Sequence, residues 1–273
     1  MLHADSAPDQ PPATVSGKLP LSLVVITRDA APDLAECCAS APFVAELLVV
    51  DSGSGDDTVE VARRSGARVV VHEWLGFGPQ KQFAVGCASH DWVLCLDADE
   101  RVSPELAGAI DALFAAGEPT ACAYAIARRN RFLGRWLAHG EGYPDWTVRL
   151  FDRRRARWSD DPVHERVIAD GEIARLEGDL LHASAESLDA YVEKQNRYSS
   201  LQAAQLHARG DRAGAIRITL SPLARFVRFY VVKLGFLDGA AGFVHIAIGC
   251  FNSFMKYAKL RALDSASRNA PTP

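Results

Sequence analysis

Val93-Leu94-Cys95-Leu96-Asp97-Ala98-Asp99-Glu100 is an apolar run that ends in three carboxylates. Its first four residues have the length and composition of a strand covered on both faces. Alternation along an extended chain predicts that Asp97 and Asp99 point the same way. Two like charges that close are costly unless something positive sits between them. A divalent cation carrying a diphosphate supplies that charge, because hard cations take carboxylate oxygens and leave positions open for phosphate. The plain alternative is a strand end leading to a helix N-cap, since Ser103-Pro104-Glu105 starts a helix.

Upstream of this run the pattern repeats. Leu21 to Thr27 is β-branched and apolar and reads as the first strand, ending in Arg28-Asp29. Asp33 is placed to cap a short helix running through Cys38. Glu46 to Val50 is a second strand, which stops at Asp51-Ser52-Gly53-Ser54-Gly55-Asp56-Asp57-Thr58, a polar turn before a helix to about Ser65. Arg68-Val69-Val70-Val71 is a third strand, followed by the loop Trp74 to Pro79 and a helix from Gln80 to about Ala88. Strand and helix alternating at this spacing predict an α/β fold with a parallel sheet and right-handed crossovers. Ligands of such sheets bind beyond the carboxyl ends of the strands, where Thr27, Arg28, Asp51, Ser52 and Asp97 to Glu100 all fall.

Downstream of the helix expected over Ser103 to Ala116 the pattern becomes α+β. Ala123 to Ala127, Val148 to Phe151 and Val163 to Val167 read as strands, with the basic run Arg128 to Arg135 between the first two. From Leu188 the chain turns helical. Ser187 to Arg209 is amphipathic, and Leu220 to Lys233 and Gly239 to Arg261 are far more apolar.

The chain has 273 residues, 48% hydrophobic and 23% charged, enough for one large domain with an appendage or two small ones. A net charge of -4 gives no reason to expect nucleic acid as a partner. Six cysteines are scattered without a Cys-X-X-Cys pair, which points to a reducing compartment and no structural zinc. Met1 to Pro20 holds four prolines and no apolar leader, so residues 1–19 are expected to be a disordered tail. Residues 20–186 are expected to form the catalytic domain, 187–265 a helical region that associates with membrane, and 266–273 a flexible tail.

Leu23 to Thr27, then Val49-Val50-Asp51-Ser52-Gly53-Ser54 with Asp56 and Thr58, then Leu96 to Glu100, together resemble the family 2 glycosyltransferases of the GT-A fold. That is a nucleotide-diphospho-sugar transferase fold with a Rossmann-like, mostly parallel sheet, here with a helical C-terminal extension. Gly76-Phe77-Gly78-Pro79-Gln80-Lys81-Gln82-Phe83-Ala84, Asp145 to Phe151, Val163-His164-Glu165 and Gly235 to Gly239 are similar to the bacterial lipopolysaccharide core β-glycosyltransferases. The resemblance covers roughly residues 20 to 262, and its specificity lies in the order and spacing of motifs that are individually weak.

The resemblance implies an inverting transfer of a hexose, glucose being the first expectation, from a nucleotide sugar, most often a uridine diphosphate sugar. It implies a divalent cation, Mg2+ or Mn2+. The implied acceptor is a lipid-linked saccharide such as the lipopolysaccharide inner core, and the implied location is cytoplasmic, peripheral on the inner face of the cytoplasmic membrane. Elementary chemistry agrees: a single in-line displacement needs one general base, and the leaving diphosphate needs charge neutralisation. Carried onto this chain, the donor contacts are Thr27, Arg28, Asp51, Ser52, Lys81, Asp97 and Ala98. The metal ligands are Asp99, Asp97 and His164, and the acceptor contacts are Arg128, Arg131, Trp146 and Arg149.

For the base, Asp145 falls where related membrane-acting members carry theirs, and Glu165 is its rival. Either carboxylate is equally able to pair with Arg128, Arg129, Arg131, Arg149 or Arg166. His164 is a metal ligand or an ordinary sheet histidine, and Lys81 a phosphate contact or part of a solvated helix face. Asp51 is a base or ribose acceptor or the anchor of its own turn.

The C-terminal helices carry Phe226, Phe229 and Tyr230 at helical spacing with Arg225, Arg228 and Lys233 between them. The apolar stretch Gly235 to Phe251 is too short and interrupted to span a bilayer, so these helices are expected to lie at the interface. A hairpin packed as core, or a dimer contact, is the alternative. Three other functions compete. A nucleotidyltransferase needs a glycine-rich basic first loop, which Thr27-Arg28-Asp29-Ala30 is not. A polyprenyl-phosphate glycosyltransferase and a non-catalytic membrane-associated sugar-nucleotide-binding protein both stay open.

Overall fold

The computed structural model describes residues 17–161, 165–183 and 187–269. His164, Val163, most of the expected N-terminal tail and residues 270–273 lie outside these. The chain divides into two compact units, one comprising the residues up to Ala127 together with Trp146–Leu181, the other Arg128–Asp145 together with the residues from His182 onward.

The first unit opens with β1 (Leu19–Thr27), α1 (Ala31–Ala39), β2 (Val44–Asp51), α2 (Thr58–Arg64), β3 (Arg68–Val71), α3 (Phe77–Cys87) and β4 (Trp92–Asp97). β1 lies between β2 and β4, both parallel to it, and β3 extends the parallel set beyond β2. The register sets Thr27 beside Asp51 and Ile26 beside Asp97, so the polar ends of three neighbouring strands share one edge. Both sheet faces are apolar. Leu23, Val25, Leu94 and Leu96 pack on one side with Leu34, Cys37 and Ile110, and Val24, Val50, Val93 and Cys95 on the other with Ala84, Val85 and Trp158. Burying both faces is what a parallel strand requires, and it accounts for the unbroken apolar runs in the sequence.

β5 (Glu100–Val102), α4 (Pro104–Ala115), β6 (Ala123–Phe132), β7 (Arg135–Trp136), β8 (Asp145–Asp152), β9 (Ala156–Trp158), β10 (Val167–Ala169) and β11 (Ile173–His182) follow. The main sheet runs β3-β2-β1-β4-β8-β6-β11-β5, with β7 on β6, and β9 and β10 form a separate pair. The α/β sheet with a helical C-terminal region is the architecture expected. Ser103 caps α4 as predicted, its side chain accepting from the Leu106 N–H at 3.2 Å.

Several boundaries differ from the sequence pattern. The strand does not run through Asp99: β4 stops at Asp97, and the chain turns at Ala98-Asp99 before β5. The Glu100 carboxylate accepts from the Asp97 N–H at 2.9 Å and closes that turn, so alternation does not align Asp97 with Asp99. β6 continues through the basic run to Phe132, and β8 begins already at Asp145. Of the strand expected over residues 163–167, only Val167 is in a strand, the short β10. β11 was missed because Ile173-Ala-Arg-Leu-Glu-Gly-Asp-Leu-Leu-His has little β-branching. Gly178 sits in it at φ +90, where a Cβ would strike the Leu106 backbone at the start of α4.

The second unit contains α5 (Leu188–Ala208), α6 (Ala215–Phe226) and α7 (Gly239–Asn269). α6 continues as a π-helical turn over Val227–Val232, and a 3-10 turn over Gly235–Asp238 leads into α7. The two helical stretches meet at 76°, and no single helix among the described residues is long and apolar enough to cross a membrane. Asp238 is buried at this bend. Its carboxylate accepts from the N–H groups of Ala138 (3.1 Å) and His139 (2.8 Å), and Gly140 N–H donates to the Lys233 carbonyl at 2.9 Å. Phe226 stacks on Tyr230, and Tyr230 meets Phe236 and Phe243 edge-on. Of the three aromatic residues singled out as a membrane face, Phe226 and Tyr230 therefore sit half-buried in one cluster, and Phe229 lies under Arg225 and Arg228.

Candidate active site at the strand ends

The turn after β2 is organised by Asp51, which is 1% exposed. One carboxylate oxygen accepts from the N–H groups of Gly53 and Ser54, both at 3.0 Å, and the other from the hydroxyls of Thr27 (3.2 Å) and Ser54. Short polar side chains that bond their own backbone two and three residues on stabilise such turns. The loop after β1 is tied to the same turn: Asp29 accepts from Gly55 N–H at 2.7 Å, and Ser54 Oγ accepts from Asp29 N–H at 2.9 Å. Arg28 lies exposed in that loop, about 4.0 Å from the Asp29 carboxylate. Ser52 is bonded through its N–H to the Thr27 carbonyl, and its hydroxyl accepts from Gln80 Nε2 at 3.1 Å.

Gln80, fully buried in the first turn of α3, also accepts from Leu75 N–H at 3.3 Å and so pins the 74–79 loop to the β2 turn. Sequence reasoning gave it no role. Its signal was faint, a polar residue between Pro79 and Lys81. Gly78 makes the same approach possible from the other side, since a Cβ there would collide with the Ser159 carbonyl.

At the end of β4 two cations converge on Asp97, and each is shared with a second carboxylate. Lys81 Nζ and an Arg149 terminal nitrogen reach its two carboxylate oxygens at 2.9 and 2.6 Å. Lys81 also donates to Glu165 at 2.9 Å, and Arg149 to Glu100 at 2.7 Å. The sequence Glu165–Lys81–Asp97–Arg149–Glu100 thus alternates in sign. Burial alone would raise the Asp97 carboxyl, but Arg149 and then Lys81 outweigh it and hold the group well below the usual carboxylate range. Burial works against the Arg149 cation, and Asp97 and Glu100 more than compensate, so it stays charged. Trp158 covers both cations, with its ring centroid 4.8 Å from Lys81 Nζ and 5.9 Å from the Arg149 guanidinium. Neither Glu100 nor Trp158 was assigned a role from sequence.

The expected residues are distributed as follows. Thr27, Asp51, Ser52, Lys81 and Asp97 are brought together at the edge shared by β1, β2 and β4. Ala98 is packed against the core, and Asp99 sits in the turn beyond β4. Arg149 is 3% exposed, beneath the site, with its terminal nitrogen committed to Asp97 and Glu100. Trp146 is exposed under the Arg175 guanidinium, 4.4 Å from the ring centroid. Arg128, Arg131 and Asp145 belong to the second unit. There Arg128 grips one Asp145 oxygen through two nitrogens at 2.6 and 3.0 Å, and exposed Arg131 lies over Trp136.

Among the described residues, no three His, Cys, Asp or Glu side chains cluster to enclose a metal ion. Asp97 and Asp99 are hard oxygen donors, and the Asp97 side chain is 32% exposed. That donor set suits a cation held by one or two carboxylates and completed by a ligand's phosphates, as Mg2+ commonly is.

The family model for glycosyl transferase family 2 matches residues 22–168. An uncharacterised glycosyltransferase of Rickettsia typhi is 32% identical, across 91% of this chain and 89% of its own. The lipopolysaccharide core biosynthesis glycosyltransferase LpsC of Rhizobium meliloti is 30% identical, across 89% and 92%. Among solved structures, glucosyl-3-phosphoglycerate synthase of Mycobacterium tuberculosis is 26% identical over 41% of this chain and 44% of that one, with a TM-score of 0.34.

Proposed function

Because this chain belongs to glycosyl transferase family 2, we propose that it moves a hexose, with inversion, from a nucleoside diphosphate sugar to a membrane-anchored saccharide. The observation that carries this reading is the pair of cations, Lys81 and Arg149, locked on Asp97 at the strand edge that also carries the Thr27–Asp51 turn. The turn, with four backbone and hydroxyl groups fixed on the Asp51 carboxylate, is a preorganised seat for a nucleoside. Lys81 supplies positive charge where a diphosphate departs, and its position is set by Glu165 and Trp158 rather than by the ligand.

Asp99 together with Asp97 would hold a divalent cation, which supplies further neutralisation of the leaving diphosphate. Asp145 is the general base of this scheme. It takes the proton from the acceptor hydroxyl as that oxygen attacks the anomeric carbon and the sugar–phosphate bond breaks. Both carboxylates hold a cation, Asp145 that of Arg128 and Glu165 that of Lys81; Glu165 is assigned to Lys81 because that ammonium also meets Asp97 at the strand edge. The similarity to LpsC supports a lipopolysaccharide core acceptor. The exposed apolar residues of the C-terminal helices support a peripheral position on the inner face of the membrane.

The test is a panel of nucleoside diphosphate hexoses assayed for transfer to core oligosaccharide lipid, with and without Mg2+ or Mn2+. Transfer from one uridine diphosphate hexose is expected. Release of free sugar or transfer to polyprenyl phosphate alone would replace the acceptor assignment, and binding without turnover of any donor would reject catalysis. Asp145→Asn is expected to lower kcat by roughly 10²–10⁴-fold with little change in donor affinity. If Glu165→Gln shows that pattern instead, the two carboxylates exchange roles.

A further inference from the structure

Ile216, Leu220, Leu223, Val227 and Val231 recur at helical spacing, and all are between 46% and 73% exposed. They form one aliphatic stripe along α6 and its π-helical continuation. Val232, Leu234, Phe236 and Leu237 continue the exposure around the bend. A stripe of this length is not the scattered apolar exposure of an ordinary surface.

Beside the stripe, a groove of about 620 Å³ runs between α6 and α7, lined by Ile216, Leu220 and Ala224 and by Arg217, Ser221 and Tyr257. Arg217 and Lys256 both lie over the Tyr257 ring, at 4.8 and 4.6 Å from its centroid. Among the described residues neither cation has a carboxylate partner. Burial raises the Tyr257 hydroxyl, but Lys256 and Arg217 outweigh that and bring it below its usual value. One end of the groove therefore presents two uncompensated positive charges and a hydroxyl, and its wall is aliphatic.

We propose that this groove binds the phosphate headgroup of an anionic phospholipid, with Arg217, Lys256 and the Tyr257 hydroxyl on the phosphate and the acyl chains along Leu220 and Ala224. The charge pattern argues for a lipid: an anion alone needs no aliphatic wall, and a neutral apolar partner leaves both cations unmatched. The inference rests on the membrane position in the proposed function, and it assigns to that position a specific ligand site.

Full-length protein would be floated with vesicles of phosphatidylcholine alone and of phosphatidylcholine with about one third phosphatidylglycerol. The unaltered protein is expected to prefer the mixed vesicles. The double change Arg217→Gln with Lys256→Gln should weaken that binding about 10- to 30-fold and erase the preference, at about three- to fivefold per charge. The same loss of charge at Arg63→Gln with Arg64→Gln in α2 should leave it within about twofold, since screened charge away from the membrane contributes little. Leu220→Asp with Val227→Asp should abolish binding to both vesicles.

A double variant that binds mixed vesicles like the parent, or loses no more than the α2 control, overturns the proposal. So does competition by inorganic phosphate at the groove without any change in vesicle binding. For unaltered protein, a photoreactive phosphatidylglycerol should label residues 214–224 and 253–260, and labelling confined elsewhere also overturns it. Nucleoside diphosphate affinity of the double variant should match the parent's. Failure of donor turnover in the parent would reject the proposed function while leaving the vesicle result standing.

Discussion

Glu100 is 0% exposed and answers the charge of Arg149, itself almost wholly buried, at 2.7 Å. Removing one member of a buried pair leaves the other uncompensated, at a cost of about 3–5 kcal/mol. Glu100→Gln is therefore expected to lower unfolding stability by about 3 kcal/mol in urea titration. Asp97 still shares Arg149, which keeps the loss at the lower end. Lys81→Met is expected to act differently. Its ammonium faces the half-exposed side of Asp97, so kcat/KM should fall by roughly 10²-fold or more, with a modest change in stability. An equal loss of stability and activity in both variants would mean that the cluster is only structural. At this scale the sequence singled out Asp97 and Lys81 for donor contacts, and the structure brings their side chains together at 2.9 Å. It could not show that Arg149 lies beneath the site, because its burial is set by β4 and by Trp158, some 50 and 9 residues away in sequence.

The strands beneath the site are tied together at one polar side chain. Glu46 on β2 accepts from Ser22 on β1 (2.5 Å), Arg68 on β3 (2.7 Å) and both Ser89 N–H (2.6 Å) and its hydroxyl (2.8 Å). Burial alone would raise this carboxyl, but the Ser22, Ser89 and Arg68 bonds lower it to about 2. A folded value below the unfolded one stabilises above the unfolded value, near 4.5, and that stability is lost as pH falls towards 2. Glu46→Gln should flatten the stability–pH curve across this window by about 2–3 kcal/mol, since one pKa unit corresponds to about 1.4 kcal/mol. Parallel acid unfolding of variant and parent would contradict it. Likewise, Gly78→Ala in α3 should weaken nucleotide binding as well as stability. The added methyl meets the Ser159 carbonyl and shifts the helix that carries Gln80 and Lys81.

At the scale of the molecule, Arg128–Asp145 groups with the C-terminal helices rather than with the residues that flank it in sequence. Asp238, Lys233 and Glu141–Arg225 supply the bonds that hold it there. Segments that share their contacts open together. Amide exchange of 138–142 is therefore expected to speed up in step with the start of α7 when Asp238→Ala is introduced, with β1 and β2 unchanged. If the segment instead exchanges with the sheet, the grouping is wrong. Deleting the chain after Ile218 would cut within α6 and remove Asp238 from the 138–142 segment, so that truncation is expected to speed exchange in 138–142 as Asp238→Ala does.

The local pattern determined what local physics controls. Apolar runs alternating with helices, and polar residues stopping each run, specified the parallel β1–β4 core and the edge where Thr27, Asp51 and Asp97 meet. Ser103 and Ser187 marked their helix starts for the same reason: a hydroxyl caps the next turn of its own chain. Tertiary structure alone decided that Glu100 is buried in the turn after Asp97, because Arg149, far along the chain, meets its carboxylate at 2.7 Å. It also decided that the exposed stripe of α6 is aliphatic, because Phe226 stacks on Tyr230 and Tyr230 finds partners across the bend in Phe236 and Phe243. In each case the deciding contact joins residues whose distance in space cannot be read from their spacing in sequence.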